Sequence, residues 1–453
     1  MQRLDASVSG PDTEPLRRNV PLRGILTQRS LEPPANIAEV QLRAMKFHPL
    51  VFKKMVRVVG GDPQPGDLVR VRDKRNTVYG YGLYNPRSTI ALRMLSLGEK
   101  PPAEEWWKEC LRRAHGLRRS ILKLDEVTSA CRLVHSEADG LPGLVVDWFS
   151  DTLSIEVFSL SMFQRIESIL KLLCDLCGAS HWRVAADPSV QSLEGFRSST
   201  LMSPRMPGRV QVEEHQLKFE VDLEEGHKTG FFCDQRDNRL RFAQMCRGEV
   251  LDLCCYSGGF AIHASRLGKA QKVTAVDLDE DALAIARRNA GINKARIDFV
   301  HADAFEILRD LIRQKRSFDS VVLDPPKLIR SREEVARGRT KYFDLNRLAM
   351  QVVRPGGLLL TCSCSGLLQE EEFVRIVHAA SWQPPLAEGP GTSTVPLHRP
   401  DGPGSPRPEG ATSAGAPRRT LQILARTGAA PDHPISPDCP ETQYLKALWL
   451  RVS

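Results

Sequence analysis

No apolar run in this chain of 453 residues approaches the roughly 20 residues that span a bilayer, so no membrane helix is expected. The N-terminus lacks the apolar core of a secretory signal. It carries arginines, but Asp5, Asp12 and Glu14 speak against a mitochondrial transit peptide. There is no HExxH, no Walker A and no Gly-x-Ser-x-Gly, so zincin, P-loop and serine-hydrolase chemistry are set aside, and no metal site is expected. There are no internal repeats. The 11 cysteines, an odd number in a long chain without a secretion signal, fit a reduced, cytoplasmic compartment better than a disulfide scaffold. Cys174-Asp-Leu-Cys177 has CxxC spacing, but it sits on an amphipathic helix with no second pair near it, which reads as packing. The net charge of +8 is mild. Its sign favours a polyanionic partner such as RNA, although a solvated surface accounts for it equally well.

Along the chain, residues 1–45 are polar with weak periodicity and read as loosely ordered. Residues 46–97 read as a small β-barrel domain: Asp67–Asp73 alternates apolar and polar, a turn follows, and Thr77–Tyr84 carries Gly80 and Gly82, which suggest tight curvature. Arg70 and Arg72 share one face, a basic face that solvation alone explains. Residues 98–215 mix helix and strand, as a central α+β domain. From 216 onward strands and helices alternate: strands at 249–254, 272–276, 297–300, 318–323 and 357–362, with helices at 259–267, 280–291, 304–314 and 341–352. That rhythm predicts an α/β domain with a Rossmann-like doubly wound sheet, and ligands at the carboxyl ends of its strands. Residues 384–418, rich in Pro, Gly, Ser and Thr, read as a disordered insertion, after which strands resume near 419–425 and 445–452.

Five motifs fall at predicted strand ends. Glu249-Val-Leu-Asp252-Leu-Cys254-Cys-Tyr256-Ser257-Gly258-Gly-Phe260 runs from a strand through a tight turn into a helix, where backbone can approach a ligand closely. An ordinary βα turn would look similar. Val273–Asp277, followed by Leu278, ends in an acid suited to ribose hydroxyls, which does not distinguish one nucleoside cofactor from another. His301-Ala-Asp303-Ala304 offers a carboxylate to an adenine amine, or simply a helix N-cap. Ser320–Lys327 sets Asp324 before two prolines at the fourth strand's tip, where an idle acid would be costly. Gly356–Gly366 is an apolar strand ending in Cys362 and Cys364, which share a face at i, i+2. A thiol there is inert packing or, given a nearby cation or donor, a nucleophile.

Taken in order, these motifs resemble bacterial large-subunit ribosomal RNA cytosine-5 methyltransferases with an N-terminal PUA domain. The resemblance also rests on Pro65–Arg72 with Tyr81–Asn85, on Arg132-Leu-Val-His-Ser-Glu-Ala-Asp-Gly-Leu-Pro-Gly143, on Gly226–Arg239 and on Tyr444-Leu-Lys446. It spans residue 48 to the C-terminus and implies a class I methyltransferase fold with S-adenosylmethionine (SAM) as donor. It assigns Asp252, Cys254, Tyr256, Ser257 and Gly258 to the methionine and ribose part of the donor, Asp277 and Leu278 to the ribose, and Asp303 and Ala304 to the adenine. Thr229, Phe231 and Gln235 would cover the donor from the preceding segment. By the same resemblance Cys364 is the nucleophile and Asp324 assists at the pyrimidine, with large-subunit ribosomal RNA as partner and a homodimer left open. The competing expectations are an enzyme that methylates a nitrogen of an RNA purine, and a non-catalytic RNA-binding assembly factor.

Overall fold

The computed structural model describes residues 26–44, 47–223, 230–382 and 419–453. Three layered units follow one another along the chain. The first is a six-stranded sheet of β1 (Glu39–Leu42), β2 (Leu50–Phe52), β3 (Val56–Gly60), β4 (Leu68–Arg72), β5 (Val78–Tyr84) and β6 (Ile90–Leu97), in the order β2-β6-β5-β4-β1-β3. Its two edge strands are joined by the single turn Lys53–Met55, so the sheet curls back on itself. Gly80 and Gly82 permit that curl: a Cβ on Gly80 would meet the Ser96 carbonyl oxygen at 2.1 Å. The loosely ordered segment expected over 1–45 is corrected in part. β1 lies inside it with Val40 fully buried, because its alternation fills the gap between β3 and β4. The face carrying Arg70 and Arg72 is also not simply solvated, since both guanidinium groups bond Glu39 of β1, at 2.9 and 2.6 Å.

The central unit begins with α1 (Glu104–Gly116). It continues through β7 (Ala130–His135), β8 (Leu144–Phe149), β9 (Thr152–Val157), α2 (Leu160–Phe163), α3 (Ile166–Cys177), β10 (His181–Ala185), α4 (Pro188–Glu194) and β11 (Leu201–Met202). Glu194 at the end of α4 clamps the first unit: its buried carboxylate takes Arg93 Nη2 at 3.1 Å, Ser88 Oγ at 2.7 Å and Asn85 Nδ2 at 3.0 Å. The expected boundary at 215/216 falls inside the turn of a hairpin, β12 (Arg209–Glu214) and β13 (Leu217–Asp222). That hairpin shares a core with Ile262 and Ala290 of the third unit.

The third unit comprises α5 (Arg236–Met245), β14 (Arg247–Leu253), α6 (Gly259–Leu267), β15 (Lys269–Asp277), α7 (Glu280–Ile292), β16 (Asp298–His301), α8 (Ala304–Arg313), β17 (Phe318–Leu323), α9 (Val335–Gln351), β18 (Val353–Ser363), α10 (Glu370–Ala380), β19 (Leu421–Thr427) and β20 (Lys446–Val452). The sheet order is β16-β15-β14-β17-β18-β20-β19, parallel through β18 and antiparallel for the last two. Apolar cores cover both faces, as the unbroken Leu358-Leu-Leu360 of β18 requires. The chain reverses its winding between β14 and β17, and that crevice is where a doubly wound sheet binds ligands. The insertion expected at 384–418 lies outside the described residues. Among the described residues no helix is long and apolar enough to cross a membrane.

Candidate active site

Parallel pairing in register brings the strand tips together. Leu253 lies opposite Leu323, Leu323 opposite Thr361, and Val276 opposite Leu253. Asp252, Asp277, Asp324 and Cys364 therefore all sit at one edge of one sheet. Just beyond β14 the backbone enters the left-handed region three times in five residues: Cys254 at φ 62°, Tyr256 at 48° and Gly258 at 82°. Only glycine adopts that region freely. The alternation explains why a Gly-x-Gly-x-Gly turn suits such a loop, and shows that this chain makes the same turn with Cys and Tyr at two places. Gly258 needs to be glycine for a second reason, since a Cβ there would lie 3.3 Å from Ala286 Cβ.

Asp277 holds this loop from the neighbouring strand, accepting Tyr256 N–H at 2.8 Å and Asp279 N–H at 2.9 Å. Asp252 is 1 % exposed. Its Oδ2 accepts Ala261 N–H at 3.0 Å, while its buried Oδ1 has no hydrogen-bond partner. Burial pushes this carboxyl up to about 8. An orphaned acceptor beneath a tight loop wants a donor, preferably a cation. The ammonium of an amino-acid-bearing nucleoside is such a group, so these residues fit SAM.

Asp303 is an N-cap: its Oδ1 accepts Phe305 N–H at 2.8 Å and Glu306 N–H at 3.2 Å, with Ala304 opening α8 behind it. Leu278 is exposed between the tips of β15 and β16, and its carbonyl lies 2.8 Å from His301 Nε2. Ser257 is buried, and its carbonyl accepts Asn289 Nδ2 at 3.2 Å. Phe231 turns inward instead, 5.4 Å centroid to centroid from Phe219 and under the Arg239 guanidinium. Its neighbour Phe232, which the sequence reading passed over, packs edge-on against Tyr256 at 5.0 Å. Thr229 lies outside the described residues. Gln235 does reach the site, donating from Nε2 to Asp324 Oδ2 at 2.9 Å.

That contact is the last link of a directed chain. Trp449 Nε1 donates to Thr427 Oγ1 at 2.8 Å, Thr427 Oγ1 to Asn238 Oδ1 at 2.7 Å, and Asn238 Nδ2 to Gln235 Oε1 at 2.7 Å. The indole can only donate, so each following amide is oriented, and Gln235 is left presenting its NH2 to Asp324. Cys362 is fully buried on β18, and burial, then the Asp324 charge, drives its thiol well above the ordinary value. Cys364 is half-buried, just past the strand. Of the two thiols, it is the accessible one.

The floor of the site is built from buried ion pairs. Glu214 holds Arg239 by two bonds of 2.7 Å, and burial, which would raise the Glu214 carboxyl, is outweighed by Arg239. Tyr444 OH donates to Asp234 Oδ2 at 2.6 Å. The Gly226–Arg239 segment is therefore mostly scaffold: among its described residues, Asp234, Gln235, Arg236, Asn238 and Arg239 are all buried.

A family profile described as an S-adenosylmethionine-dependent methyltransferase matches residues 131–377. The chain belongs to the S-adenosylmethionine-dependent methyltransferase family. A second profile, described as a PUA-like domain, matches residues 40–97 of this methyltransferase. Its relatives include proteins named ribosomal RNA large subunit methyltransferase I. That of Pseudoalteromonas atlantica is 32% identical over 90% of this chain and 96% of that protein. That of Aeromonas hydrophila is 34% identical over 90% and 96%. Among solved structures, a chain described as a methyltransferase complexed with SAH superposes with a TM-score of 0.70 at 16% identity, over 89% of this chain and 95% of that one. A SAM-dependent methyltransferase from Streptococcus mutans does so with a TM-score of 0.70 at 15% identity, over 91% and 99%. These two speak to the fold alone. The methyltransferase fold, the PUA-like domain and SAM as donor, expected from the sequence, are thereby borne out.

Proposed function

We propose that this methyltransferase forms 5-methylcytosine in large-subunit ribosomal RNA through a covalent adduct on Cys364. The observation that carries the reading is the pairing, at one switch point, of an accessible thiol with a carboxylate held as an acceptor by Gln235. The RNA class is taken from the names of the relatives. SAM supplies an electrophilic methyl group on a sulfonium. Asp252 would face its ammonium, the 254–258 loop would wrap its methionine and ribose part, Asp277 and Leu278 would hold the ribose, and Asp303 and Ala304 the adenine. By the resemblance, the segment carrying Thr229, Phe231 and Gln235 would cover the donor, and Phe232 packs on Tyr256 of the loop.

Carbon 5 of cytosine is a poor nucleophile, and covalent catalysis divides the difficulty. The Cys364 thiolate bonds carbon 6, and the carbon 5–carbon 6 π pair shifts to carbon 5, which would then take the methyl group as the donor's S–CH3 bond breaks and its electron pair returns to sulfur, leaving S-adenosylhomocysteine. Asp324 hydrogen-bonds or protonates the ring nitrogen as charge develops there. A base removes the carbon 5 proton, the double bond re-forms, and Cys364 leaves as thiolate. The target base must be single-stranded or flipped out.

Ribosomal RNA carrying 5-fluorocytosine blocks the last step, because no proton is present at carbon 5. A covalent protein–RNA adduct that is lost in Cys364→Ala supports the reading. Methyl transfer to ordinary RNA without any adduct overturns it in favour of nitrogen methylation, to which Asp324-Pro-Pro is also suited.

A further inference from the structure

Lys446 is the first residue of β20, and it brackets Cys364 on both sides. Its backbone pairs with Ser363, and its Nζ donates to the Ser365 carbonyl at 2.7 Å. A second bond, also 2.7 Å, goes to the Tyr444 carbonyl. The side chain is 2 % exposed. Neutral carbonyls satisfy N–H groups but do not neutralise a buried ammonium, which is costly without an anion. Among the described residues no carboxylate comes within ion-pair reach of Nζ; Glu370 is bonded to Arg426 at 3.4 Å. An ammonium has three donors, and the two carbonyls account for two.

We propose that Lys446 is the counter-ion of Cys364: its buried ammonium, held beside the thiol by the Ser365 carbonyl, stabilises the sulfur as thiolate. The thiol proton leaves to water, which half-buried Cys364 can reach, and the S–H electron pair stays on sulfur, so no other reactant is needed. Among the described residues, the titratable and charged groups acting on the pair include Tyr342 from α9, Asp324 and Lys327 from the loop after β17, Cys362 on β18 and Glu370 at the start of α10. Asp324 opposes a thiolate, Tyr342 is a buried neutral phenol, and Lys327 is exposed. Lys446 is thus the buried cation among these described groups. Burial lowers its ammonium to about 8, and of the charges acting to raise it Cys364 ranks first.

The inference rests on Cys364 as nucleophile, but it can be tested without RNA. Iodoacetamide alkylation of the full chain, followed at the Cys364 peptide by mass spectrometry across pH, reads the thiolate directly. Wild type is expected to titrate below the ordinary thiol value. Lys446→Met should move the midpoint up by about one unit and slow alkylation at neutral pH about tenfold, while Lys446→Arg keeps the wild-type profile. A folded Lys446→Met protein with an unchanged profile overturns the proposal. If that variant does not fold, a wild-type midpoint at or above the ordinary thiol value does so alone. Should Cys364→Ala retain methyl transfer, the nucleophile reading fails, while the alkylation profile still decides whether the ion pair exists.

Discussion

Gln235 matters through the one hydrogen bond it gives Asp324, and Asn238 matters because it decides which end of Gln235 gives it. Gln235→Leu takes this donor from Asp324. A hydrogen bond to a charged group is worth about 1.5–3 kcal/mol, so single-turnover methyl transfer should fall about tenfold or more. Asn238→Ala should act in the same direction, and the double variant should lose less than the two losses summed; additive losses would refute the chain of bonds. Asp252 makes a prediction in pH. Its carboxyl is raised to about 8 in the folded protein, so its stabilising contribution is complete below the unfolded value of roughly 4 and is lost as pH rises through 8. Asp252→Asn should therefore flatten that part of the donor-free melting-temperature profile, gaining on wild type above pH 8, while weakening SAM binding measured by calorimetry. Asp252, Asp277 and Asp324 were legible in the sequence because each ends an apolar strand. Asn238, Thr427 and Trp449 were not, because they meet only when strands distant in sequence close on α5.

At the scale of elements, the 254–258 turn separates what backbone does from what side chains do. If the backbone path is what serves the donor, Cys254→Gly should hold or raise the melting temperature, since a non-glycine residue in the left-handed region costs roughly 1–2 kcal/mol. It should leave SAM affinity within about threefold, and a tenfold loss would show that the thiol is used. Gly258→Ala should do the opposite, straining a left-handed position already crowded by Ala286. The alternation of strands and helices was readable because buried parallel strands are apolar throughout and their helices are not. Ends were less readable: α9 begins at Val335 rather than 341, since its first turns are polar and carry no periodic signal. β1 was missed because a four-residue strand set among polar residues declares itself only through the partners it finds.

At the scale of the molecule, one carboxylate ties the central unit to the catalytic one. Asp432, between β19 and β20, takes Arg236 of α5 through both oxygens, at 2.7 and 3.1 Å, and the Arg132 N–H of β7 at 2.9 Å. Its own carbonyl accepts buried Arg118 at 2.7 Å. Burial would raise the Asp432 carboxyl, but His433 and Arg236 hold it well below the usual range. Its contribution is therefore present above the ordinary carboxylate value and is lost only as pH falls below it. Asp432→Ala leaves the buried guanidinium of Arg236 with only the exposed Asp237 at 3.4 Å and should cost about 3–5 kcal/mol in urea unfolding at neutral pH, a difference that narrows in acid. Nothing around residue 432 in the sequence signals this role, because the three arginines it gathers are remote from it.

β20 is threaded antiparallel between β18 and β19, and Lys446 closes onto the turn that presents Cys364. During synthesis Cys364, the proposed nucleophile, emerges well ahead of this strand, so a nascent chain carries the thiol before the strand that pairs beside it. Arrested nascent chains ending before Lys446 lack this strand and should methylate nothing.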